Sequence, residues 1–132
     1  MSIQQRMNEL FESKIVSYSM DILENKLSLE LELLENEVIT NYSVEFMNIS
    51  TFYFINNTTD ERKEIFPPEK DDYLELTSIN LSNDIINISL DCEEEVWLKQ
   101  YNGCGKVILE IWSKLVVLEA DKFKVNNDIY DL

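Results

Sequence analysis

The sequence predicts a mostly-β domain: an antiparallel meander of seven or eight short strands, as a curled sheet, sandwich or barrel, with a short N-terminal helix. Three observations predict it. Apolar and polar residues alternate with period two in run after run, turn-forming residues separate the runs, and no helical stretch long enough for a crossover lies between them. The 132 residues suffice for one core and not for two, so residues 1–132 are expected to form a single domain.

Taken in order, "IQQRMNELFES" (residues 3–13) places Ile3, Met7, Leu10 and Phe11 at helical spacing, which predicts the short helix. In "IVSYSMDIL", Val16, Tyr18, Met20 and Ile22 alternate with Ser17, Ser19 and Asp21, giving the first strand. "KLSLELELL" sends Leu27, Leu29, Leu31 and Leu33 to one face, and Glu24–Asn25 joins it to its predecessor as a hairpin. Asn36–Glu37 makes the next reversal. "VITNYSVEFMNISTFYFI" is too long for one regular strand, and its apolar phase shifts from even to odd positions at Met47–Asn48, where a bulge or bend is expected. Residues 56–72 are polar, broken by Pro67–Pro68, and form the longest loop. "YLELTSINLS" and "DIINISLDC" read as two strands with a turn at Asn83–Asp84, and Cys92 ends the second. "VWLKQY" and "KVILEIW" read as a hairpin whose tip is Asn102–Gly103, a dipeptide that tolerates positive φ. "LVVLEADKFKV" follows Ser113–Lys114, and the tail "NNDIYDL" is expected to fray.

Composition excludes several functions. With 26 acidic and 11 basic residues the formal charge is −15, a field that repels nucleic acid and anionic membranes and attracts a basic protein. The same acidity would also serve solubility alone. There is no histidine, so Ser–His–Asp and Cys–His catalysis and His-based zinc sites cannot be built within one chain. The N-terminal segment does not read as a signal peptide and no apolar run reaches a membrane span, so the expected location is the cytoplasm, with reduced cysteines. The many Asn residues are read as compositional background with little function.

One stretch, "DCEEEVWLKQYNGCG" (residues 91–105), holds both cysteines and both glycines. The twelve-residue spacing of Cys92 and Cys104 fits neither a zinc nor a thioredoxin pattern, so two ordinary thiols are expected. Asp91, Glu93, Glu94 and Glu95 lack the spacing of a calcium loop and the facing geometry of a glycosidase pair. They read either as a solvated acidic loop or as an acidic recognition edge. In the second reading Trp97 and Tyr101 are the anchors, since aromatic residues within charged rims carry much of the binding energy at interfaces; in the first, Trp97 is simply core. The glycines match no phosphate-binding motif. The long loop from Asp60 to Asp72 is a second candidate binding element.

The opening "MNELFESKIVSYSMDILENKLSLEL", the aromatic "STFYFIN" and the closing "KVILEIWSKLVVLEADKFKV" resemble small Bacillus-type proteins encoded beside polymorphic toxin genes, the YxiG-like, immunity-protein-like group. The resemblance covers most of residues 7–125 as a pattern and brings no catalytic residue with it. It implies a non-enzymatic protein, without cofactor or metal, that neutralises a cognate toxin domain by binding it. The acidic charge makes a basic toxin, such as a nuclease, the expected partner. Two alternatives stand beside it: a carboxylate enzyme with or without a divalent cation, and a β module that oligomerises through its sheet edges.

Overall fold

The computed structural model describes Met1–Leu132. One helix, α1 (Ile3–Asn8), precedes nine strands: β1 (Ser13–Asp21), β2 (Lys26–Glu35), β3 (Val38–Met47), β4 (Thr51–Asn56), β5 (Leu74–Ile88), β6 (Gly103–Ile111), β7 (Lys114–Glu119), β8 (Lys122–Val125) and β9 (Asp128–Asp131). A 3-10 helix, Val96–Tyr101, lies between β5 and β6. All nine strands form one antiparallel sheet in the order β4-β7-β6-β5-β1-β2-β3-β8-β9. The sheet does not close; β4 and β9 are its edges.

The mostly-β antiparallel class is as expected, but the neighbour order is not that of a simple meander. Three ladders join strands distant in sequence: β4 with β7, β5 with β1 and β3 with β8. The bend expected at Met47–Asn48 explains two of them. Asn48 takes φ 55°, and the chain continues from β3 into β4 while its partner run continues from β8 back into β7. Bonds persist around the corner, from Asp121 N–H to Met47 O (3.1 Å) and from Ser50 N–H to Glu119 O (2.9 Å). The two ends of the sheet are thereby turned toward each other over one core. A single buried cluster draws on both halves, with Leu29, Leu31 and Phe46 from one and Leu76, Leu109 and Leu118 from the other. Phe46 and Phe123, cross-strand partners with no exposed surface, stack at 5.2 Å. Each such side chain contributes about 1.5–3 kcal/mol through burial.

Several local expectations hold. Leu27, Leu29, Leu31 and Leu33 are all buried, while Glu30 and Glu35 of the same strand face water. The reversals at Glu24–Asn25 and Asn36–Glu37 are turns, and Asn25, Asn36 and Glu37 have positive φ. The longest loop runs from Asn57 to Tyr73.

Others are corrected. The helix ends at Asn8 instead of running to Ser13, because Glu12 turns to φ 65° and gives its N–H to Leu76 O at 2.8 Å, so the following residues join the sheet. What remains is well fastened. Ser2 and Gln5 form a reciprocal capping box, and Gln4 accepts from Leu81 N–H at 2.8 Å. In β1 the alternation is broken by a bulge between Ile15 and Ser17, so Ile15 is buried and Val16 exposed, and the phase expected for Tyr18 and Met20 resumes after it, opposite the inward-facing Leu29 and Leu27. The two strands expected on either side of Asn83–Asp84 are one fifteen-residue strand, β5. Both halves pair with β6, and the extra residues between Leu81 and Ile86 swell out as an irregularity instead of reversing the chain. The tail does not fray. Asn126 turns at φ 54°, β9 pairs with β8, Lys122 Nζ meets Asp131 Oδ1 at 2.7 Å, and Arg6 reaches Asp128 at 3.3 Å.

Asparagine has a structural use that its abundance concealed. Eight non-glycine residues have positive φ, and five are Asn: Asn25, Asn36, Asn48, Asn57 and Asn126. Neither glycine does. In a chain with two glycines, Asn supplies the left-handed turn positions that glycine usually takes, helped by its short polar side chain.

Candidate functional site

β5 and β6 form a hairpin whose connection, Ser89–Asn102, is an excursion and not a tight turn. Its ends are clamped by the Ile88–Gly103 pair and by Leu90 N–H donating to Asn102 Oδ1 at 2.8 Å. The expected hairpin at Asn102–Gly103 is therefore corrected. "VWLKQY" is a 3-10 helix, Asn102 is extended (φ −63°, ψ 143°), and Gly103 already belongs to β6. Cys92 likewise lies beyond the strand it was expected to end. The glycines are required by packing. A Cβ on Gly105 would stand 2.5 Å from the Leu118 carbonyl oxygen, and one on Gly103 would stand 2.8 Å from Thr51 Oγ1.

The excursion brings all six residues singled out for partner binding to the surface. Asp91, Glu93, Glu94, Glu95, Trp97 and Tyr101 are each exposed, and the 3-10 helix buries none of its residues. Trp97, 55% exposed, is not a core tryptophan, and Tyr101 is 68% exposed. Their rings meet edge to face with centroids 6.1 Å apart, and Trp97 Nε1–H donates to Glu95 Oε2 at 2.5 Å. Lys99 lies 3.8 Å from Asp91, while Glu93 and Glu94 enter no ion pair. The acids do not converge: no three Cys, Asp or Glu side chains gather as a set of metal ligands.

A part of this surface was missed from the sequence. A groove of about 480 Å³ separates the excursion from edge strand β4, with Tyr101 and Leu90 on one bank and Phe52 and Tyr53 on the other. Phe52, Tyr53 and Phe54 are all exposed. The aromatic run "FYF" was visible, but only the ladder to β7 places it at an edge beside a segment nearly fifty residues away.

A second set of polar and thiol groups lies elsewhere. Cys104 Sγ donates to Glu119 Oε2 at 2.9 Å, and Ser50 Oγ donates to Glu119 Oε1 at 2.5 Å. Together they line a depression of about 420 Å³. The two hydrogen bonds, the thiol's first, hold the Glu119 carboxyl below the usual range. The same bond, then desolvation and the carboxylate's charge, push the Cys104 thiol up. A thiol held protonated is a poor nucleophile. Cys92 and Cys104 are both free.

The model of the YxiG-like protein family matches residues 3–130. The chain belongs to the YxiG-like family. No curated protein matches it significantly. No helix of this YxiG-like protein is long and apolar enough to cross a membrane.

Proposed function

We propose that this YxiG-like protein is a non-enzymatic, cytoplasmic binding protein of immunity type, which neutralises a basic toxin domain by docking the Ser89–Asn102 excursion on it. One observation carries the reading: a clamped protrusion presents four acids and two exposed aromatic rings together. Aromatic anchors with charged surroundings are what tight protein interfaces use. The formal charge of −15 steers a basic partner toward the surface and speeds encounter. The groove beside β4 gives such a partner a seat of mixed character next to the charged rim, aromatic at Phe52, Tyr53 and Tyr101 and polar at Thr51, Gln100 and Asn102. The test is co-purification with the product of the neighbouring gene, followed by assay of that product's toxicity with and without this chain. A stable complex that abolishes toxicity supports the reading, and an active, unbound product contradicts it.

A second reading is favoured by the edge itself. β4, "TFYFIN", is uncharged, aromatic and unpaired on one side, the kind of edge that pairs with another chain. Homo-oligomerisation through β4 predicts a dimer by sedimentation at micromolar concentration; a monomer there excludes it.

A further inference from the structure

A hollow of about 220 Å³ opens between β1 and β2 on one wall and β4, β6 and β7 on the other. Buried Leu29 and Leu109 line it, and exposed Tyr18, Phe52 and Phe54 form its rim. Ten of its eleven lining residues are apolar, and Lys114 is the eleventh. A dry apolar cavity of roughly 150 Å³ suffices to hold benzene, so this one admits a longer hydrocarbon. Its apolar wall offers water no hydrogen-bond partners, and filling it would remove surface that the fold itself leaves uncovered.

Lys114 supplies the polar end. It is half-buried and donates to Asn56 Oδ1 at 2.7 Å. It joins no ion pair, although acids outnumber bases 26 to 11. An ammonium has three donors, so two are left for a ligand's oxygens. We propose that the hollow binds a medium-chain alkyl carboxylate, its tail between the two walls and its head on Lys114. This site is separate from the Ser89–Asn102 excursion and does not depend on its role.

The experiment is calorimetric titration of the full chain with hexanoate, octanoate and decanoate below their micelle concentrations, with octanol and octylammonium as head-group controls. Burial of one methylene is worth about fourfold in affinity, so affinity is expected to rise by about that factor per carbon until the hollow is full. Octanoate should bind more tightly than octylammonium. Lys114→Met should weaken octanoate about tenfold, the scale of one charge-assisted hydrogen bond, and leave octanol unchanged. Ile111→Trp, on the half-buried wall, should fill the space and abolish binding. The absence of saturable binding at millimolar octanoate and decanoate would overturn the proposal. So would affinity independent of chain length, octylammonium binding as well as octanoate, or unaltered octanoate binding by folded Ile111→Trp. The length series and rim variant Lys114→Met decide the matter even where Ile111→Trp does not fold.

Discussion

Trp97 and Tyr101 hold each other edge to face, 6.1 Å between ring centroids, on a helix that buries neither. Their contact fixes two large apolar surfaces in one orientation before any partner arrives, which lowers the entropy that binding must overcome. Each ring is expected to act as an anchor. Trp97→Ala and Tyr101→Ala should each weaken the complex with the proposed toxin partner by about 2 kcal/mol or more, while the unfolding free energy changes by less than about 0.5 kcal/mol, as at other exposed sites. Calorimetry of the complex and urea denaturation of the free variants check the two halves.

Gly105 is expected to be intolerant of a methyl group although its φ is ordinary. The added Cβ would press on the backbone oxygen of Leu118 at 2.5 Å, and backbone of β7, held in ladders on both sides, cannot step aside. Gly105→Ala should cost about 1–3 kcal/mol, the range for overpacking. Gly103→Ala should cost less, because its neighbour is the Thr51 side chain, which can rotate. Denaturation midpoints of the two variants, measured side by side, give the order.

The sequence conveyed local patterns well and their spatial assembly poorly. Leu27 to Leu33 could be placed on the core face because period two follows from the pleat itself. The bend at Asn48 could be placed because a phase shift has no other inexpensive explanation. The 3-10 helix at Val96–Tyr101 was hidden because Val, Trp and Tyr favour strands, and it is the closing pair Ile88–Gly103 with the Leu90–Asn102 clamp that leaves this segment outside the ladder. The β3–β8 and β4–β7 ladders rest on long-range pairing that no local pattern encodes. For the candidate site, the sequence singled out the acids, Trp97 and Tyr101 but not β4 across the groove, since adjacency there is made by the fold.

Asn36 tests the reading of the asparagines. It is exposed at φ 49°, so substitutions there report mainly on backbone conformation. Asn36→Gly should be close to neutral, and Asn36→Ala should cost about 1–2 kcal/mol, the scale of the left-handed penalty. Equal stability of the two variants in thermal denaturation would remove the conformational role.

Cys104 and Glu119 give the fold a pH signature. Glu119 is held below its ordinary pKa in the folded chain, so its contribution is present above the unfolded carboxylate value and is lost as pH falls through the folded one. Cys104 is raised, so its contribution is complete below the ordinary thiol value and is lost as pH rises through the folded one. Glu119→Gln should flatten both limbs of the stability profile. It should also quicken alkylation of Cys104 near pH 8, which peptide mapping after brief maleimide exposure can read.

The central claim is that the acidic excursion docks the partner, and association kinetics test it most directly. Glu93→Lys, Glu94→Lys and Glu95→Lys together add six charges, two each, and take the formal charge from −15 to −9. All three positions are exposed, so the triple variant should fold with little loss of stability. Its association with the cognate toxin, followed by stopped flow over a series of salt concentrations, should be slower, with a shallower dependence on salt because fewer attractive charges remain to be screened. A folded triple variant with an unchanged association rate and an unchanged salt slope would contradict the claim.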